Sequence, residues 1–301
     1  MCLLELEIGK RVKVPVLIET AQTTDARNGG KYQKLVARDT DGQKVKMNSF
    51  LKPERFLSDK DIIEAVIEAG EYEGNKTYTL KDYSPSNEKK SAFMPKTKID
   101  INSTWKEMSK LIKTIDDERY CRLACKVISN ELNTFLHAPL TAGDEYARDG
   151  GLLEATFKLM QLADSAAKVL SLDRNLLLSA AAVYYSGSTM MVDEDYQPTK
   201  EVALTGFDIA AHDKLVMANS MISEDKRLDD ESFKLFDNIL LSRYQGKPIA
   251  SKEAFALKML DSVVTVVERG DKIIEGLTEG AFFKESESRM WYRRMEDHDN
   301  E

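Results

Sequence analysis

The spacing of the apolar residues changes once along this chain, and that change limits it to a β-structure followed by a helical bundle. From residue 3 to residue 84, apolar and polar side chains alternate between turn signals, the pattern of half-buried strands. From Ser103 onward, apolar residues recur every three or four positions, which gathers them on one face of a helix. Between the two, Ser84 to Lys98 carries Pro85, Ser86, Pro95 and the pair Lys89-Lys90, the proline-punctuated composition of a linker. The expected organisation is a barrel domain over 1–84, a linker over 85–102, a helical domain over 103–279 and a tail over 280–301. The fold class is α+β with more than one domain.

A first strand runs through Val12, Val14, Val16 and Ile18, and the polar run Thr23 to Gly30 predicts a loop. Lys31 to Asp39 forms the second strand and reaches Thr40-Asp41-Gly42, a turn whose glycine supplies positive φ. Gln43 to Phe50 is the third. A short irregular or helical piece near Pro53 to Asp61 then precedes strands at Ile62 to Tyr72 and Lys76 to Tyr83. Five strands interrupted by a helical piece after the third outline an OB-fold barrel.

Alternation also predicts which side chains leave the barrel. If Leu35, Ala37, Val45 and Met47 fill it, then Tyr32, Lys34 and Arg38 of the second strand and Lys44, Lys46 and Phe50 of the third point outward. Cations among rings suit single-stranded DNA or RNA, the cations following phosphates and the rings stacking on bases. A solvated sheet face would carry the same lysines. The charge is distributed in keeping with either reading. The first 100 residues hold 18 Lys and Arg against 16 Asp and Glu, so the acid that makes the net charge −8 lies beyond them.

The helical half is expected to begin with a helix capped by Asn102 or Ser103 and carrying Trp105, Met108, Leu111 and Ile112. Further helices are expected at about 118–136, 151–170, 174–186, 201–222, 230–244 and 250–275. Its most informative stretch is Gly150-Gly151-Leu152-Leu153-Glu154-Ala155-Thr156. This resembles the Gly-Gly-Leu-x-x-His-Thr opening of the HD domain in YhaM-type 3′ to 5′ exoribonucleases, with Ala155 in place of histidine. That family's His-Asp doublet falls on Val183-Tyr184-Tyr185-Ser186-Gly187-Ser188, and its Leu-Leu-Gly-His on Leu204-Thr205-Gly206-Phe207. Its Leu-Ser-His-His becomes Leu241-Ser242-Arg243-Tyr244. Its Glu-Ala-x-x-Leu-His-x-x-Asp becomes Glu253 to Asp261 with Lys258 at the histidine, so Asp261 alone persists as a ligand. The resemblance spans roughly residues 5 to 270, on motifs in the helical half and on strand pattern in the barrel half.

Hydrolysing a phosphodiester with bound metals needs several imidazoles and carboxylates around the ions. The resemblance with its ligands erased therefore implies an HD scaffold without catalysis, without metal and without cofactor. Ala155, Tyr184, Tyr185, Phe207, Arg243, Tyr244 and Asp261 mark the vacated site. Large side chains there fill the space of the lost ions, or else line a pocket for a nucleobase or nucleotide. The expected activity is non-catalytic binding of single-stranded DNA or RNA. The alternatives are a protein-interaction or regulatory module, and a divergent metal-dependent exonuclease or phosphohydrolase built on Asp261, His212 and an acidic loop. A protein partner at the helical domain or tail and a homo-oligomer are also entertained.

Other features point to ordinary structure. His212-Asp213 and Asp193-Glu194-Asp195 fit solvated surface, and Cys121 and Cys125, one turn apart, fit a buried helix face. Three cysteines make no disulfide framework, and no run of eighteen apolar residues occurs. A cytoplasmic protein with no membrane contact is expected. The tail opens on Phe282-Phe283 and carries Met290-Trp291-Tyr292-Arg293-Arg294, suited to stacking, to docking, or to a helix folded back on its domain.

Overall fold

A computed structural model describes residues 3–26, 29–141, 145–190, 199–200, 204, 206–243, 246 and 248–295. The chain divides into two compact units, one ending at Lys98 and the other starting at Ile99.

Five strands build the first unit: β1 (Arg11–Asp25), β2 (Lys31–Asp39), β3 (Lys44–Ser49), β4 (Ile62–Tyr72) and β5 (Asn75–Pro85). They close into a barrel in the order β1-β2-β3-β5-β4, with β4 pairing back onto β1. Every seam is antiparallel except β3 with β5. Closure follows from the alternation, because Val16, Ile18, Leu35, Ala37, Val45 and Met47 all turn inward and are buried. A 3-10 turn at Pro53–Arg55 occupies the interruption after β3, where Gln33 fixes the backbone of Leu57 through both ends of its amide, each bond 2.8 Å.

Two expectations are corrected in β1. Thr23 to Asp25 do not start a loop; they continue the ladder, pairing with Gln33, Tyr32 and Lys31. Backbone hydrogen bonds hold this end of the hairpin although its side chains are polar. The alternation of β1 also breaks, because the register with β2 shifts between Ile18 and Thr20, a bulge at Glu19.

The segment after β5 runs along the barrel. Its 3-10 turn, Lys90–Phe93, contacts β1 and buries Phe93. Lys96 pairs with Asp41, and Pro95 lies so close to Gly42 that a Cβ there would sit 2.4 Å from its Cα. Gly42, at φ 79°, is thus required by its turn and by its neighbour.

Eight helices are described in the second unit: α1 (Ile101–Ile112), α2 (Glu118–Ser129), α3 (Leu132–His137), α4 (Gly151–Leu170), α5 (Arg174–Val183), α6 (Phe207–Ser220), α7 (Asp230–Leu241) and α8 (Lys252–Glu275). Asp117, Asp173, Asp229 and Ser251 cap α2, α5, α7 and α8 with side-chain oxygens. The first helix is capped by Asp100, whose Oδ1 accepts from the Ser103 amide at 2.7 Å, rather than by Asn102 or Ser103. A carboxylate is a strong acceptor at that end, and Ser103 becomes the donor. The helix expected over 118–136 is two, broken at Glu131, whose carboxylate is drawn to Lys214 and Thr189. The described part of the helix expected at 201–222 begins at Phe207 after Gly206, at φ 86°. From Leu176 to Val183, α5 is buried on every side and forms the centre of the bundle.

The tail is a two-stranded hairpin, β6 (Phe282–Lys284) and β7 (Met290–Tyr292), and not a helix. Its packing explains the difference. Trp291 lies flat on Gly270 of α8, where a Cβ would meet the indole at 2.3 Å. Among the described residues, no helix is long and apolar enough to cross a membrane.

Candidate functional site

On the barrel, strand register sets the geometry of the outward face. Lys34 stands between Gln22 of β1 and Asn48 of β3, Val36 pairs with Lys46, and Arg38 with Lys44. The six outward side chains separate into three groups. Tyr32 and Phe50 stack on one another, ring centroids 5.3 Å apart and planes 20° from parallel, with Phe50 65% exposed. Lys34 and Lys46 line a cleft of about 370 Å³ together with Thr20, Gln22, Asn48 and Thr77. Neither has an acidic partner among the described residues.

Arg38 and Lys44 form the third group, and Glu19 neutralises both. Arg38 Nε donates to Glu19 Oε1 at 2.7 Å and Lys44 Nζ lies 2.9 Å from Oε2. Burial pushes the Glu19 carboxyl up, but the hydrogen bonds from Lys44 and Arg38 outweigh it and hold the pKa below the ordinary value. Lys76, also at the cleft, donates to the Leu4 carbonyl at 2.6 Å and lies 5.5 Å from the Tyr78 ring. The free positive charge of the face is thus concentrated at Lys34 and Lys46.

In the helical unit, four of the residues expected to mark a vacated site meet. Tyr184 and Tyr185 follow α5, Arg243 follows α7, and Asp261 lies on α8. The Tyr185 hydroxyl donates to Asp261 Oδ1 at 2.6 Å, and Arg243 Nε lies 3.5 Å from Oδ2. The two rings meet edge to face at 5.5 Å, and the Arg243 guanidinium stands 5.5 Å from the Tyr184 ring and 4.8 Å from that of Tyr185. Burial, then the Asp261 charge, raises the Tyr185 phenol well above its ordinary pKa, so it stays protonated. Ala155 is buried on α4 and offers only a methyl group. The side chain of Phe207 and the whole of Tyr244 lie outside the described residues.

As a donor set for a divalent ion this cluster does not fit. Its one carboxylate is already engaged by a phenol and a guanidinium, and tight sites need several converging ligands. Among the described residues no three His, Cys, Asp or Glu side chains converge as metal ligands.

The parts of the motifs that persist have structural tasks. Gly150 takes φ 70° at the start of α4, and a Cβ on Gly151 would lie 1.9 Å from the Tyr146 carbonyl oxygen. Glu253 is buried and accepts the Asp173 amide at 3.0 Å, while Lys258 donates to the Ser242 carbonyl at 2.8 Å.

Beside the motif lies a buried ionic network that spacing did not announce. Arg148 donates to Glu154 Oε2 at 2.7 Å and to Glu268, and Lys158 reaches Glu154 Oε1 at 2.8 Å. Burial pushes Glu268 up, but the Arg148 hydrogen bond brings its pKa below the ordinary value. Arg148 and Lys158 each stand 5.0 Å from the Tyr146 ring. The only advance signal was the density of charge around the Gly-Gly pair.

Three smaller expectations resolve differently. His212 is not simply solvated, since its Nδ1 lies 2.8 Å from Asp237 Oδ1. Cys121 is half-buried and Cys125 sits on the exposed side of α2, which corrects the buried-face reading, because Leu123, Ala124 and Val127 take the core positions. Partial desolvation, then the neighbouring Cys121 thiol, pushes the Cys125 thiol up to about 11. The acidic run Asp193-Glu194-Asp195 lies outside the described residues.

No protein-family model matches the chain, and no solved structure matches it.

Proposed function

We propose that this protein binds single-stranded nucleic acid, DNA or RNA, on the outer β2–β3 face of an OB-type barrel, and that its helical unit is an HD-type scaffold without catalytic metal. The observation that carries the reading is that two uncompensated cations, Lys34 and Lys46, line a cleft on the same pair of strands whose outer side carries the Tyr32–Phe50 ring stack. Phosphates would follow the ammonium groups, and a base would extend the ring stack, worth about 1–3 kcal/mol per base. The barrel order β1-β2-β3-β5-β4 with β3 parallel to β5 fits an OB-fold. In the helical unit, support comes from the presence of Gly150, Gly151 and Glu253 beside the loss of imidazoles at Ala155, Tyr184 and Lys258 and of a carboxylate at Tyr185. The cluster around Asp261 serves as packing in this reading, its rings and guanidinium filling space that ions would need.

Fluorescence anisotropy with labelled oligonucleotides tests it. Binding is expected at low salt, with log K falling against log salt by about 0.7 for each phosphate contacted. No binding of DNA or RNA at low salt would refute the proposal.

A further inference from the structure

One face of α8 has more apolar surface than its own unit can use. Phe255, Met259, Val263 and Val267 recur every fourth residue and are 56%, 43%, 48% and 53% exposed. They form a single ridge about 18 Å long, while Ala254, Leu257 and Val264 on the opposite side face the core. Helix faces turned to water ordinarily carry charge. Here every charged side chain from Glu253 to Arg269 is engaged within the unit. Glu253 accepts the Asp173 amide, Lys258 donates to Ser242, Asp261 to Arg243 and Tyr185 is paired, Glu268 holds Arg148, and Arg269 holds Glu145. The ridge is left uncharged between Lys252 at one end and Asp271 at the other.

We infer that this face is where a second copy of the chain docks, α8 against α8 and antiparallel across a two-fold axis near residue 261. The pattern is self-complementary about that point. Phe255 of one copy meets Val267 of the other, Met259 meets Val263, and Lys252 comes opposite Asp271, so the charged ends attract. Lys252 uses one of its three protons on the Ser171 carbonyl, at 2.8 Å, and keeps two. The hairpin adds to the match. Trp291 already covers Gly270, three residues beyond Val267, so an antiparallel partner brings its exposed Phe282 and Tyr292 towards the Phe255 end.

Sedimentation equilibrium of the full chain tests this. The wild type is expected as a dimer at micromolar concentration. Val263→Glu, a change at an exposed position, is expected to leave the thermal midpoint of the dilute protein in place and to weaken dimerisation at least about tenfold, since it sets a charge against Met259 of the other copy. Lys252→Glu is expected to weaken it about threefold to tenfold and Lys252→Glu/Asp271→Lys to restore it. A monomeric wild type overturns the inference. So does a dimer indifferent to Val263→Glu, or one that the double exchange fails to restore.

Discussion

The phenol of Tyr185 donates a 2.6 Å hydrogen bond to the carboxylate of Asp261, joining the end of α5 to the middle of α8 across 76 residues of sequence. That bond uses the single carboxylate which the resemblance aligns with a metal ligand. With Arg243 on its other oxygen, Asp261 is the acceptor of a structural cluster.

Removing that acceptor is expected to destabilise the fold. Asp261→Ala removes the carboxylate that Arg243 approaches at 3.5 Å and the acceptor of the Tyr185 hydroxyl, a loss of about 3–5 kcal/mol. Tyr185→Phe removes one hydrogen bond and should cost about 1 kcal/mol. Urea unfolding followed by circular dichroism ranks the two. Equal and small effects would show that the cluster is not load-sharing.

The same phenol gives a pH dependence. Its folded pKa is raised well above the ordinary 10.0, so its contribution is complete below the unfolded value and is lost as pH rises through the folded one. Thermal midpoints are expected to fall above about pH 10. The fall should be shallower in Tyr185→Phe, measured against the same series.

Arg148 is expected to be the most sensitive single charge in the helical unit. Arg148→Met leaves Glu154 and Glu268 buried without their guanidinium and should cost about 3–5 kcal/mol, recovered in part by Glu154→Gln and Glu268→Gln together. Glu268, whose folded pKa is lowered, adds stability above its ordinary value of 4.5 that is lost as pH falls through the folded value. Acid unfolding of Glu268→Gln should therefore be less pH-dependent than that of the wild type.

Gly151→Ala tests why the Gly-Gly pair persists. Its new Cβ would fall 1.9 Å from a backbone oxygen, which cannot rotate away, so a loss of about 1–3 kcal/mol is expected without any metal present. A neutral effect on the thermal midpoint would return the pair to a purely chemical explanation.

How much of this was legible in the sequence depended on the range of the interactions involved. The β2–β3 face followed from alternation because Leu35, Ala37, Val45 and Met47 obey a local period of two. The helix starts at Glu118 and Arg174 followed from the local three-to-four-residue period. The Arg148–Glu268 pair did not, because its partners are 120 residues apart and a charged residue on its own reads as solvated. Nor did the convergence on Asp261 reveal its geometry, since three elements had to be packed before Arg243 could reach it. Glu19 escaped for a different reason. Alternation with Val16 and Ile18 inside puts it on the outer face, but the bulge between Ile18 and Thr20 sets which β2 residues it meets, and β1 alone does not spell that register.

The ion pairs of Glu19 yield the sharpest prediction about binding. Lys34→Ala and Lys46→Ala should each weaken single-strand binding and reduce the salt slope by about 0.7, because each removes a cation free to meet phosphate. Arg38→Ala and Lys44→Ala should change little, since Glu19 already holds both side chains. Glu19→Gln is then expected to strengthen binding and steepen the salt dependence, by releasing two cations onto the same sheet face while keeping an amide that can still accept from Arg38. Anisotropy titrations over a range of salt distinguish these variants. If Glu19→Gln binds no better than the wild type while Lys34→Ala binds as well, the strand follows another surface of the protein.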